Sequence, residues 1–475
     1  YRYNQRNPNQ FRIRLPHWQT SDRTLQHSAF IQDQWTVKRL TLQGALRYDH
    51  AYSWSPAEHN GTTKTSRFNP APIAFERTVS VRGYDDISPR VGVAYDLFGT
   101  GRTALKAHIG RYLAAATNDS TYIVNNPANR IQTSLTRSWV DTNNNRVVDC
   151  DLVAPQAQNA VDTCGTVTGN SLRFANALTG LNRINPEILG GWGVRVYDWQ
   201  FSAGIQHEVL PRVSVDVQYA RRWWGNFTVT DNQALDPEHY EAWTAVAPTD
   251  PRLPGGGGYP LTEYEVRPEF GTRVAQNYVT FETDFGPARI NYWNGVDVTG
   301  SARMNNGLTF QGGTSTGREI TDRCATVVNI DDPNPRNCRT VHPFTTSFRG
   351  SASYTVPKVD VLVSSILRLL PAPEIEATYN FPNSYLLQQL GHLPVGQTLN
   401  GNQSVDLLDP GQMYAERRHT QLDMRFAKIL RFGGTRADIG VDLYNLFNVN
   451  TPTGYEDTYD VTPAAGLGPG GQWLR

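Results

Sequence analysis

Residues 141 to 151 read DTNNNRVVDCD, which sets side-chain oxygens at Asp141, Asn143, Asn145, Asp149 and Asp151. Oxygens at alternate positions followed by a later acid are an arrangement that wraps calcium, a hard cation with a high demand for oxygen ligands. The match to an EF-hand loop is partial: Arg146 stands where that loop needs Gly, and Leu152 where it needs a bidentate Glu. Two of the first three donors are neutral amides, which weakens affinity. The competing reading is an Asx-rich turn, its side chains bonded to nearby backbone and its end stapled by Cys150. At most, then, the sequence implies one structural calcium, and it requires no cofactor.

The four cysteines fall into two local pairs of equal spacing, Cys150 with Cys164 and Cys324 with Cys338, each in a polar, turn-rich stretch. Without a C-x-x-C or a nearby His pair, zinc is disfavoured. Two local disulfides fit better than four free thiols, and they imply an oxidising compartment. Gly313-Thr-Ser-Thr-Gly317 satisfies G-x-S-x-G, but a nucleophile elbow needs a strand–turn–helix setting, and here the serine continues a strand pattern. The same GGTSTGR stretch lacks the Lys-Ser/Thr ending of a phosphate loop. The ten His residues are scattered, with no H-E-x-x-H, and Asp331-Asp332 sits in a Pro/Asn-rich stretch that reads as solvated. Trp223-Trp224-Gly-Asn-Phe227 and Gly255 to Tyr259 offer aromatic surface, with ordinary loop packing as the simpler role. No catalytic constellation emerges, so the chain reads as a non-enzyme.

The elements that must carry these residues follow a period of two. In FIQDQWTVKRLTLQGALRYDH, Leu40, Leu42, Gly44, Leu46 and Tyr48 alternate with Thr41, Gln43, Ala45, Arg47 and Asp49. The same alternation recurs around Val91–Leu97, Leu105–Ile109, Trp199–Ile205, Val213–Tyr219, Val296–Ala302, Phe348–Tyr354, Leu422–Phe426 and Ile439–Leu443. No stretch carries a comparable helical period, so the fold class is all-β. Lys plus Arg number 44 against 44 Asp plus Glu, a balance that argues against nucleic acid as a partner. Apolar runs long enough for a membrane helix are absent, but strands need only alternate residues apolar to cross a bilayer. The opening YRYNQRNPNQ has no apolar core and is not a signal peptide.

Connections decide between a soluble sandwich and a membrane barrel. Short turns near Lys38, Gly99, Pro211, Asn305, Pro357 and Gly433 alternate with long excursions over 52–86, 114–194, 225–287, 320–343, 370–415 and 449–475. Soluble domains seldom contain such unstructured loops, whereas outer-membrane barrels pair short periplasmic turns with long extracellular loops. The polar faces carry Arg47, Asp49, Arg90, Asp96, Lys106, Asp216, Asp297, Arg303, Asp423, Arg425, Asp438 and Asp442. A dry core would penalise these charges heavily; a water-filled lumen would not. The expectation is an antiparallel transmembrane β-barrel wall of twelve strands in six hairpins, from a strand at Ser28–Trp35 to one at Ala437–Asn448.

FIQDQWTVKRLTLQGALRYDH, ISPRVGVAYDLFGTGRTALKAHIGRY, GWGVRVYDWQFSAGIQHEVLPRVSVDVQYARRWWGNFTVTDN, NGLTFQGGTSTGR and GVDLYNLFNVNTP resemble the barrel of TonB-dependent outer-membrane receptors. The branch they are most similar to is the Oar-like one, which carries an N-terminal carboxypeptidase-regulatory-like domain. The resemblance implies a barrel of about 22 strands around a plug. Residues 1–475 would then be one partial barrel domain, with the plug, TonB box, early strands and last strand not in this chain. It implies TonB-dependent uptake of a substrate, location in the bacterial outer membrane, and contact with its lipid. The inner-membrane TonB complex would act through the N-terminal part. A surface-exposed structural or adhesion barrel, using calcium- and disulfide-stabilised loops to hold surface-associated proteins, is the alternative.

Overall fold

The computed structural model describes residues 1–4, 7–61, 72–116, 126–159, 161–178, 182–331, 333–459 and 473. Alternating β-branched, aromatic and polar residues build twelve long strands: β1 (Arg23–Val37), β2 (Leu40–Ser55), β3 (Gly83–Asp96), β4 (Thr103–Leu113), β5 (Tyr197–Leu210), β6 (Val213–Gly225), β7 (Ile290–Arg303), β8 (Thr309–Asp322), β9 (Thr345–Val356), β10 (Val361–Leu370), β11 (His419–Phe432) and β12 (Thr435–Leu443). They pair antiparallel in chain order, and three short strands attach to make a fifteen-stranded sheet. Six short turns at one end place Lys38, Gly99, Arg212, Gly307, Lys358 and Gly433 at positive φ, as tight hairpin turns commonly require.

Register keeps like faces together. Across β2 and β3, Leu40 faces Tyr95, Leu42 faces Val93 and Tyr48 faces Ile87. Across β6 and β7, Val217 faces Val298 and Tyr219 faces Val296. The other face aligns Gln206 with Asp216, Gln218 with Asp297, and Ser364 with Arg425. A slip of one residue would exchange the faces, so the apolar pattern itself fixes register. Asp33 is an exception: it stands on the apolar face opposite Gly44. Among the described residues no second sheet lies against the apolar columns, whose Val91, Val217, Val298 and Ile439 remain exposed. β1 and β12 are the two edges, exposed along their whole length and without an outer neighbour among the described residues.

The long excursions are a folded layer at the opposite end. Residues before β1 belong to it: strand Asn7–Arg14 pairs with Ser134–Val140, burying Phe11, Ile13, Leu135 and Trp139 with Cys164. A second core unites Trp243, Leu253, Phe381, Leu386, Val405, Tyr459 and Trp473 from three connections. A third packs Val81, Tyr84, Ile188 and Leu189 over the ends of β2 and β3. One connection contains a helix, Asn383–Leu390, closed by Gly391 at φ 78°, the left-handed conformation favoured at a helix C-terminus. No helix among the described residues is long and apolar enough to cross a membrane.

Two strand boundaries differ from expectation. The first strand extends to Arg23 and Val37. The last stops at Leu443 rather than Asn448, because Asn445 and Asn448 adopt φ of 51° and 48°. The Asn445 backbone N–H donates to Asp423, and its side chain bonds both ways with the Val449 backbone. Asn tolerates left-handed backbone better than β-branched neighbours do, and these bonds reward the turn.

Candidate functional site

The polar face is held by local ion pairs. Arg47 reaches Asp49 at 2.8 Å, two residues along the same strand, and Arg436 reaches Asp438 at 3.0 Å in the same way. Across strands, Arg222 grips Asp198 with two bonds of 2.9 and 3.0 Å, and Arg425 meets Asp442 at 3.2 Å. Lys106 bonds Gln206 and lies 3.8 Å from Asp216. Arg90 lies over the Tyr112 ring at 4.6 Å. Asp96 serves the turn rather than the face, accepting the backbone N–H groups of Gly99 and Gly101.

Between β6 and β10 this face dips into an open recess of about 940 Å³. Asp216 and Asp297 line one side, Arg349 and Arg368 the other, with Gln, Ser, Thr and Gly between. One Asp297 carboxylate oxygen is buried without a partner. Arg349 and Arg368 face each other across β9 and β10, and neither forms an ion pair among the described residues. Such a surface can hydrogen-bond a polar solute or another protein segment. Ser315 lies mid-strand in β8 opposite Asp297, so Gly313–Gly317 forms no elbow.

In the external layer, Asn143 and Asn145 both donate to the same Asp149 oxygen, at 2.9 and 2.7 Å. Asp141 accepts the Arg146 backbone N–H through one oxygen and leaves the other buried and unpartnered. Arg146 itself adopts φ 60°, supplying the left-handed turn that Gly was expected to provide. Four of the five expected donors therefore line one loop. The fifth does not: Asp151 turns away to cap its own turn, accepting from Val153 and Ala154.

Two residues absent from the sequence reading organise this loop. Asp162 accepts from the Trp139 indole, Thr142 and Asp149 at 2.9 to 3.0 Å. Burial pushes its carboxyl pKa up, but these N–H groups outweigh it and the net shift is downward. Arg137 is 2% exposed and donates to the carbonyls of Gly165, Asp151 and Gln156. Burial lowers its pKa, against the Asp151 charge. Both cysteine pairs, Cys150–Cys164 and Cys324–Cys338, are disulfides.

Elsewhere the aromatic tracts pack. Trp223 stacks on Trp199, Phe227 lies beneath Arg289, and the Tyr259 hydroxyl donates to the Leu407 carbonyl. The Gly255–Gly258 run is not slack: a Cβ at Gly257 would lie 1.9 Å from the Pro248 carbonyl. The Asp331 backbone N–H donates to buried Asp231, while Asp332 lies outside the described residues. Asp236, Glu238 and His239 also cluster closely, but the His239 Nδ1 accepts its own turn's backbone N–H. In the large loop core, Arg252 holds the Asp250 pKa at about 2, and burial raises that of Tyr459 to about 12. Burial raises Glu263 and Glu265 too, against Arg336 and Gln403.

A family profile described as "Outer membrane beta barrel domain" matches residues 6–386. The chain belongs to this family. Its apolar columns accordingly face acyl chains and its polar face lines the lumen, in the outer membrane. Family and wall together make it a membrane barrel and not an enzyme. No curated protein sequence matches it significantly. Among solved structures it is similar to the FrpB iron transporter of Neisseria meningitidis, at 10% identity, over 91% of this chain and 42% of that one, with a TM-score of 0.38. The outer membrane transporter YddB of Escherichia coli gives 9%, 91%, 51% and 0.42, and the ferric-catecholate receptor Fiu of E. coli 10%, 96%, 43% and 0.40. The chain thus spans about half the length of these transporters or less.

Proposed function

We propose that this chain is part of a TonB-dependent receptor of the Oar-like branch that takes up a substrate across the outer membrane. The carrying observation is the charged recess between β6 and β10, which opens onto the lumen side of the wall. The family-like segments quoted above point to the same class. Two unpaired edges are costly in lipid and water alike, so in this reading further strands close the barrel and a plug fills it. The TonB complex acts through that plug, and Asp141, Asn143, Asn145 and Asp149 hold a structural calcium in the external layer.

The test is depletion of solutes from defined medium, followed by mass spectrometry. Cells producing the intact protein are compared with a deletion strain and a coupling-deficient strain. At least one solute should disappear only when protein and coupling are both present, and Arg349→Glu with Arg368→Glu should slow its loss. Depletion identical in all three strains refutes uptake. A second reading, attachment of surface proteins, draws on the three packed loop cores; it predicts protein-dependent adhesion that is indifferent to coupling.

A further inference from the structure

The lipid-facing side of the wall carries guanidiniums as well as apolar columns. Register aligns Arg221 on β6 with Asn294 on β7, and Asn294 with Arg318 on β8, all on the apolar face. One row outward, Arg111 on β4 faces Trp199, and Trp223 faces Tyr292. Arg221 is exposed and lies over the Tyr292 ring at 4.2 Å; Arg318 lies over Phe344 at 4.6 Å with its Nε buried and unpartnered. Among the described residues neither takes part in an ion pair, although thirteen pairs of Arg or Lys with Asp or Glu form elsewhere. An open groove of about 520 Å³ lies beside Arg221, walled by Ile109, Phe201, Trp223 and Tyr292.

Height identifies what this row meets. Arg221 lies eight residues beyond Val213, and Arg318 nine beyond Thr309, the strand starts at the short-turn end. At ~3.4 Å per residue and a tilt of ~40°, both stand about 20 to 25 Å above that end, at the upper rim of a ~25 Å apolar band. In hydrocarbon an unpaired guanidinium is costly; at the rim it meets headgroups. There its planar fork matches phosphate oxygens, while neighbouring aromatic rings occupy the interface. Two intervening strand spacings of ~4.8 Å hold Arg221 and Arg318 about 10 Å apart, close enough for long side chains to converge on one headgroup.

We propose that Arg221 and Arg318, with Asn294 between them, bind the phosphate headgroup of an outer-leaflet lipid, the headgroup seated beside the groove and the acyl chains running down the apolar columns of Tyr219, Val296, Val217 and Val298. The lipid then fixes the wall's rotational and vertical position, independently of uptake.

The test is the amount of phosphorylated lipid retained by the intact protein after extraction and delipidating washes, read by native mass spectrometry. Relative to the parent, Arg221→Gln with Arg318→Gln should retain at least tenfold less. Arg222→Gln, one residue along but on the lumen face, should retain the parental amount. Heat-dependent gel mobility selects folded protein in every arm. Equal retention by the double variant, equal loss in Arg222→Gln, or displacement of the lipid by inorganic phosphate alone would overturn the proposal.

Discussion

Replacing Asp250 by Asn should loosen the external layer without touching the wall. Asp250 receives two side-chain bonds from Arg252, at 3.1 and 2.7 Å, and the Tyr459 hydroxyl at 3.0 Å. Its side chain is 7% exposed. Arg252 in turn lies over the Trp473 ring at 5.1 Å, so one carboxylate ties the connection after β6 to the segment after β12. Depression of the carboxyl pKa from 3.8 to about 2 corresponds to about 2 kcal/mol, at ~1.36 kcal/mol per unit. The folded carboxyl binds its proton more weakly than the unfolded one. Its contribution is therefore whole above about pH 4 and is lost as pH falls through about 2. Tyr459 sets the alkaline limit with the opposite sign: raised to about 12, mainly by burial, it contributes below pH 10 and ceases to as pH rises through 12. Both share one hydrogen bond, so the two contributions do not add. Hydrogen exchange at neutral pH should show the amides of Ala247 and Leu253, both bonded within the core, about thirtyfold less protected in Asp250→Asn than in the parent. The gap should close in acid proteolysis near pH 2. Equal protection at neutral pH, or a gap that persists at pH 2, would refute the reasoning.

Three further outcomes are expected. Val298→Arg, mid-strand on the apolar face, should cost about 2–4 kcal/mol of folding into lipid vesicles, while Thr299→Arg on the lumen face costs little; gel mobility after dilution from urea measures both. Opening the Cys324–Cys338 disulfide by paired Ser substitutions frees a link of sequence separation 14 and should destabilise that loop by about 3 kcal/mol. Protease sensitivity should rise there, and the wall should refold as before. Calcium titration of the intact protein should protect residues 141–149 from proteolysis, and Asp141→Asn with Asp149→Asn should abolish that protection. Equal cleavage with calcium or chelator would leave these residues a plain Asx turn.

Much of the wall was legible in the sequence because strand faces obey a local rule. Leu42, Val93, Ala107, Ala203, Tyr219 and Val296 share one face across six strands because a period of two admits one register that segregates apolar from charged. The turns at Lys38, Gly99 and Gly307 were equally local. The donor loop was legible in part: Asp141, Asn143, Asn145 and Asp149 converge, while Asp151 is drawn off by two backbone N–H groups that no spacing rule counts.

The external layer was decided by tertiary structure. Phe11 packs with Leu135 and Trp139, and Tyr459 with Phe381 and Trp473, over separations that leave no periodic trace. Asp162 and Arg137 act through contacts with backbone groups of other segments, so nothing in their immediate neighbours marks them. The row of Arg221, Asn294 and Arg318 exists only once β6, β7 and β8 are in register. Alternation is a property of one strand and is written in its own residues. Alignment across strands, and burial between loops, belong to the folded chain.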